Sequence, residues 1–203
     1  MSYQLIFLLI NIIAVYNLII LWVYLMSLKI QFLSKKSLKE ILKSVEDRSE
    51  INRFFIDVLK QAEEIKLVSN KSFSIIVFDS APLLFKVEDI DMYLPTLYAV
   101  NYFYNTKNIF IVPTVVVDEG AVNPLLRGAD VMIPGVRKVL HNFFKGHIVS
   151  VMHPSEKYFI VIGMALVDSI NIVPNTKGKC ISNISRLDDE VWRASLQILK
   201  SLS

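Results

Sequence analysis

The chain has very little cysteine, glycine or proline: one Cys, six Gly and seven Pro in 203 residues. A single cysteine excludes an intramolecular disulfide framework and a cysteine-based structural zinc site. So few Gly and Pro exclude collagen-like and low-complexity Pro/Gly chains. Histidine is scarce as well: His141, His147 and His153 are spaced six residues apart, which matches no standard metal motif. There is no phosphate-cradling Gly loop, no Rossmann fingerprint and no Ser/His/Asp ordering. With 53% apolar residues, the chain is also far from a disordered composition.

Charge is missing from one place. Residues 1–28 carry no charged side chain, and only Ser2, Gln4, Asn11, Asn17 and Ser27 interrupt the apolar and aromatic run. Leu5–Leu25 is long enough, as a helix, to span roughly 30 Å of hydrocarbon. The mean hydropathy of +0.46 is therefore largely a property of this segment. Three readings compete for it. It fits a membrane anchor whose following Lys29, Lys35, Lys36 and Lys39 hold the rest in the cytoplasm. It fits a signal peptide less well, lacking a basic start and a small-residue cleavage site. It also fits translation that starts at Met26.

After residue 28 the pattern is α+β. Ser34 can cap an amphipathic helix over 34–47 with Leu38, Ile41, Leu42 and Val45 on one face. A second helix is expected near 49–62, with Ile51, Phe54, Phe55, Val58 and Leu59 on one side. Glu64–Val68 and Ser72–Phe78 around Asn70-Lys71 predict a hairpin, and Leu83–Val87 a further strand. Tyr93–Tyr104 reads as a helix with Pro95 in its first turn. Strand texture returns at Ile109–Val112, Val115–Val117, Val131–Ile133, His147–Met152, Tyr158–Val167 and Cys180–Ile184. Gly163 sits where a bulge or close backbone contact is expected. Many short strands in so few residues suggest a small barrel. Residues 29–105 are charge-neutral and the net +3 lies in the second half, partly in Arg127, Arg137, Lys138 and Lys145. Such a patch is either a solvated surface or a footprint for phosphate backbones.

Residues 117–136 are the most informative. Asp118 can cap a short helix with Glu119 in its first turn. Gly128 suits the left-handed position after it, and Pro134-Gly135 suits a tight turn. Pro124 either kinks this helix or begins a shorter one capped by Asn123. Gly128-Ala129 leaves backbone uncovered beside Arg127. Cys180, with no base at readable spacing, reads as a buried small hydrophobe. Asp188-Asp189-Glu190 reads as the acidic start of a helix before Val191-Trp192.

The pattern Val117-Asp118-x-Gly120-Ala121…Gly128-Ala129-x-Val131-Met132-x-Pro134-Gly135 resembles the opening of a PUA domain, an RNA-binding module. Lys145-Gly146-His147-Ile148-Val149, Ile162-Gly163-Met164-Ala165 and Lys177-Gly178-Lys179 followed by Ile184 continue the resemblance. Upstream, Tyr93-Leu94-Pro95-Thr96-Leu97 and Ile111-Val112-Pro113 are similar to the end of the pre-PUA domain in the malignant T-cell amplified sequence (MCT-type) family and its archaeal relatives. Leu187-Asp188-Asp189-Glu190-Val191-Trp192 is similar to that family's ending. The start of this likeness near Lys29 favours Met26 as the first residue.

The resemblance implies an N-terminal pre-PUA α/β domain followed by a PUA pseudo-barrel; with the apolar run as a leader at 1–28 and the polar stretch Asn105–Asn108 near the boundary, the pre-PUA domain is expected at 29–107, the PUA domain at 108–193 and a tail at 194–203. It implies a translation-associated protein binding structured RNA (tRNA or rRNA) and the small ribosomal subunit, alone or with a translation-factor partner; with no catalytic or metal motif in the sequence, the protein is expected to be non-enzymatic, without cofactor or metal, and cytoplasmic. A membrane is involved only if residues 1–28 are translated and inserted. The alternatives are an accessory that delivers RNA to a separate modifying subunit, and a protein-interaction adaptor built on the barrel. The expected RNA contacts are Arg127, Gly128, Ala129, Asp130, Pro134, Gly135, Arg137 and Lys138, with Lys157 and Lys179 as further candidates.

Overall fold

In the computed structural model, residues 28–202 are described; the apolar leader and the choice between Met1 and Met26 lie outside them. No helix among the described residues is long and apolar enough to cross a membrane. The first half is a five-stranded antiparallel sheet in the order β1 (Lys29–Phe32), β2 (Ile65–Ser69), β3 (Phe73–Phe78), β4 (Ala81–Val87), β5 (Leu94–Pro95). Helices α1 (Lys35–Glu46), α2 (Arg53–Gln61) and α3 (Leu97–Lys107) accompany it. Ser34 caps α1 by accepting from Ser37 N, and Asn52 caps α2 by accepting from Phe54 N. Ile41, Val45, Phe55, Ile56 and Leu59 from these helices join Ile75, Ile76, Leu84 and Phe85 of the sheet in one core. Phe54, expected on the inner face of α2, is instead 43% exposed.

The helix expected from Tyr93 begins only at Leu97. Thr96, fully buried, accepts from Ala99 N as the cap and donates its hydroxyl to Pro82 O. A residue preceding proline avoids helical geometry, and Leu94–Pro95 accordingly forms the edge strand β5, where a missing N–H is tolerated. The β-branched run at Ile109–Val112 is not a strand. Ile111 and Val112 are buried in the core while Ile111 O accepts from Asn52 N, which ties this connection to α2.

The second half is a six-stranded sheet in the order β7 (Val131–Met132), β11 (Lys179–Arg186), β10 (Phe159–Ala165), β9 (Ile148–Met152), β6 (Thr114–Val117), β8 (Val136–Val139). β7 and β8 are separated in the chain only by the 3-10 turn Ile133–Gly135, yet stand at opposite ends of this order. The sheet therefore curls into a nearly closed barrel. β6 and β9 run parallel, and across them the buried hydroxyls of Thr114 and Ser150 bond at 2.9 Å. At Gly163 the β10–β11 register shifts, as expected. A Cβ there would collide with the Ser182 carbonyl, so only glycine lets the two backbones approach this closely.

The halves share their packing. Val116, Ile148, Met152, Phe159 and Ile162 of the barrel belong to the same apolar cluster as the N-terminal sheet. Asn101 of α3 both donates to Phe159 O and accepts from Phe159 N. Arg48 donates to Gly146 O, and Glu50 accepts from Ile148 N. Residues 194–202 of the segment expected to be a tail (194–203) belong to α5 (Glu190–Leu202), which runs through the boundary placed at 193. Val191, Ala194 and Ile198 are buried in the core shared with the first half. Their i, i+3, i+7 spacing forms a helical stripe that holds α5 there.

Candidate nucleic-acid interface

The interface candidate begins with α4 (Glu119–Leu126), capped by Asp118, whose carboxylate accepts from Ala121 N at 2.8 Å. Pro124 lies within this helix, which continues past it to Leu126 rather than restarting at Asn123. Arg127 follows as the C-cap, and Gly128 takes φ +94°, reachable at little strain only by glycine. Arg127, Gly128 and Ala129 are exposed, and Arg127 forms no ion pair among the described residues.

β11 underlies this loop and fixes it. Asn183 N donates to Asp130 Oδ1 at 3.0 Å, and its amide donates to Leu125 O and Ala129 O, each at 3.0 Å. Asp130 also pairs with Lys179 at 2.9 Å. The Lys179 ammonium and the Asn183 N–H hold the Asp130 carboxyl below its ordinary range. Asp130 and Lys179 thus brace the loop against β11. Arg186, at the end of β11, donates from Nε to Leu126 O at 2.9 Å. Its guanidinium carbon stands 3.2 Å from where a Gly128 Cβ would lie. The uncovered backbone of Gly128 is therefore occupied on one side by an arginine, and the loop presents two guanidinium groups, Arg127 and Arg186.

The remaining expected contacts lie on a second group of elements. Pro134 and Gly135 are in the 3-10 turn, where Gly135 packs on Ala121 of α4. Arg137 and Lys138, on β8, both reach Glu156 Oε1 at 2.6 Å, and Arg137 also donates to Pro154 O. These two cations hold the Glu156 carboxyl below its usual range, the Lys138 contact foremost. They are shared with a carboxylate rather than free. Lys157, next to Glu156, is exposed. Arg186 and Asn183 were not among the expected contacts. An asparagine inside a strand, where that residue is disfavoured, was the available signal for Asn183; nothing local marks Arg186.

Elsewhere, no group of three or more His, Cys, Asp or Glu side chains suited to a metal ion occurs among the described residues. Cys180 is buried, donates to Val131 O, and burial pushes its thiol up to about 11. Asp189 accepts from Arg186 N and from Trp192 N, acting as a turn and helix-start brace.

Residues 113–187, which hold this loop and most of the nearly closed mixed barrel, match the PUA domain. Over 164 residues the chain is 33% identical to an uncharacterized protein of Methanocaldococcus jannaschii, covering 79% of this chain and 93% of that protein. It is 28% identical to human malignant T-cell-amplified sequence 2 (73% of this chain, 81% of that protein) and 28% identical to translation machinery-associated protein 20 of Saccharomyces cerevisiae (70% and 74%). Among solved structures, a hypothetical protein of Pyrococcus horikoshii superposes with a TM-score of 0.70 at 26% identity, covering 82% of this chain and 99% of that one. A PUA domain protein of Aeropyrum pernix, solved with tartrate, gives 0.69 at 26% identity, with 84% and 92% covered. The chain belongs to the PUA-domain protein family and is similar to its malignant T-cell-amplified sequence members.

Proposed function

We propose that this protein binds structured RNA through the loop after α4 and acts, without catalysis of its own, in translation. The RNA is a tRNA or rRNA element presented at the small ribosomal subunit, and the site of action is the cytoplasm. The observation that carries the reading is the pairing of an exposed Arg127-Gly128-Ala129 loop with the Arg186 guanidinium fixed beside it. Two planar cations flanking small residues suit phosphate oxygens and let a sugar-phosphate backbone come close. Recognition of this kind reads shape and backbone more than sequence. The name of the yeast relative, translation machinery-associated protein, supports the setting.

The test is filter binding of deacylated tRNA across a salt series. Arg127→Ala with Arg186→Ala should weaken binding and reduce the slope of log affinity against log salt by roughly 1.4 to 1.8, about 0.7–0.9 per lost phosphate contact. Arg186→Lys, which keeps charge but not the fork, should retain most of the slope. A folded double variant with unchanged affinity and slope would remove this loop from the account.

A further inference from the structure

A second surface lies on the outer side of β8. This strand pairs with β6 on one side only and is the last in its sheet. Its other edge borders a cleft of about 560 Å³ whose far wall is the segment Ile172–Lys177. No hydrogen bond joins that segment to β8 among the described residues. Leu140 N donates to Thr114 O, and Lys138 is registered with Val116 on β6. Alternation along an antiparallel pair then turns the N–H and C=O of Val139 away from β6, toward the cleft.

The lining decides what fits. Ile133, Val136, Val139, Ile172, Val173 and Pro174 give it an apolar part, Arg137, Lys138, Asn175, Thr176 and Lys177 a polar one, and no aromatic ring lines it. The cleft therefore lacks the aromatic platform that usually supplies single-strand affinity, and its one guanidinium plane, Arg137, is engaged by Glu156 and Pro154 O. The cations at the rim are Arg137, Lys138 and Lys177, and the anion facing them is Glu156, which leaves a net excess of two positive charges. Basic residues on a short edge strand also discourage uncontrolled pairing. Here that defence is selective, since it repels basic strands and admits acidic ones.

We infer that this cleft receives an extended acidic-aliphatic segment of a partner protein, which adds to the barrel as a strand beside β8. The backbone of the segment bonds Val139, its aliphatic side chains enter the Ile172–Pro174 wall, and its carboxylates meet Arg137, Lys138 and Lys177. This is strand addition, with affinity from main-chain bonds and selectivity from alternate side chains.

The experiment uses the full chain, isotope-labelled, titrated with capped peptides Glu-Val-Glu-Val-Glu and Lys-Val-Lys-Val-Lys and with a uridine hexanucleotide. The acidic peptide should slow hydrogen exchange at the Val139 amide and shift Val139, Ile172 and Val173 resonances, while the basic peptide should not. Val139→Pro removes the donor and should weaken the acidic peptide about fivefold. Arg137→Glu with Lys138→Glu, which leaves the backbone intact, should reverse the preference to the basic peptide. Arg127→Ala with Arg186→Ala should leave peptide binding unchanged, so failure of the RNA reading and failure of this one are separable. No effect of the acidic peptide at millimolar concentration, equal effects of both peptides, or displacement of the peptide by the hexanucleotide would overturn the proposal.

Discussion

Replacing Glu50 by alanine is expected to cost about 2–3 kcal/mol, because one oxygen of this side chain joins the two halves. Glu50 Oε1 accepts from Ile148 N at 3.1 Å and from Arg48 Nε at 2.7 Å, and Arg48 in turn donates to Gly146 O at 2.6 Å. The Glu50 side chain is 3% exposed and Arg48 is 23% exposed. Removing one partner of a buried ion pair typically costs about 3–5 kcal/mol. Arg48 retains some access to water, which places the expectation at or below the low end of that range. With a denaturant slope of about 2 kcal/mol per molar urea, the midpoint should fall by about 1–1.5 M. Glu50→Gln keeps the shape and an acceptor but loses the charge, and should cost about 1–2 kcal/mol at pH 7.

Acid isolates the contribution of the Glu50 charge. Burial raises the Glu50 pKa, but the hydrogen bonds from Ile148 N and its own backbone, together with Arg48, outweigh it and leave the carboxyl below its ordinary 4.5. A depressed carboxylate stabilises the fold above its unfolded pKa, and that contribution disappears as pH falls through the folded value. The gap between wild type and Glu50→Gln should therefore be full at pH 7 and close progressively below about pH 4.5. Urea titrations of both proteins at several pH values measure it. A Glu50→Ala loss under about 1 kcal/mol, or a Gln variant whose gap does not change with pH, would refute the reasoning.

Three further outcomes are expected. Gly128→Ala should lower stability by about 1 kcal/mol or more, since φ is +94° and the new methyl would press on the Arg186 guanidinium; thermal unfolding measures this. Pro124→Ala should stabilise the chain by about 1 kcal/mol by restoring an N–H inside α4, and a loss instead would mean that the ring's packing outweighs the missing bond. Cys180, buried and with its thiol pushed to about 11, should react with a thiol reagent at pH 8 only after urea unfolding, and native labelling at an exposed-thiol rate would contradict its burial.

What could be read from the sequence was what depends on near neighbours. Asp118, Gly128 and the 3-10 turn at Pro134-Gly135 each act within a few residues, and their chemistry announces the helix, the left-handed position and the turn. The hairpin around Asn70-Lys71 was legible for the same reason. Pro95 was misplaced because a first-turn proline and an edge-strand proline look alike until Thr96 finds Pro82 as its partner. β8, four residues reading Val-Arg-Lys-Val, carries no decisive period. The site was legible in its loop but not in its completion. Arg186 reaches Leu126 across 60 positions of chain, and Arg137 and Lys138 meet Glu156 across 19 and 18. No local pattern encodes such meetings, and they decide which cations are free.

The docking of α5 on the first half has a consequence for biosynthesis. Phe85 and Leu84 belong to a core completed by Val191, Ala194 and Ile198, more than a hundred residues later in the chain. Synthesis proceeds from the N-terminus, so the N-terminal sheet leaves the ribosome with part of its apolar surface uncovered. The barrel must emerge before that surface is closed. A chain cut just before Val191 is therefore expected to leave apolar surface of the first half uncovered and open to chaperones and proteases, whatever the state of its barrel.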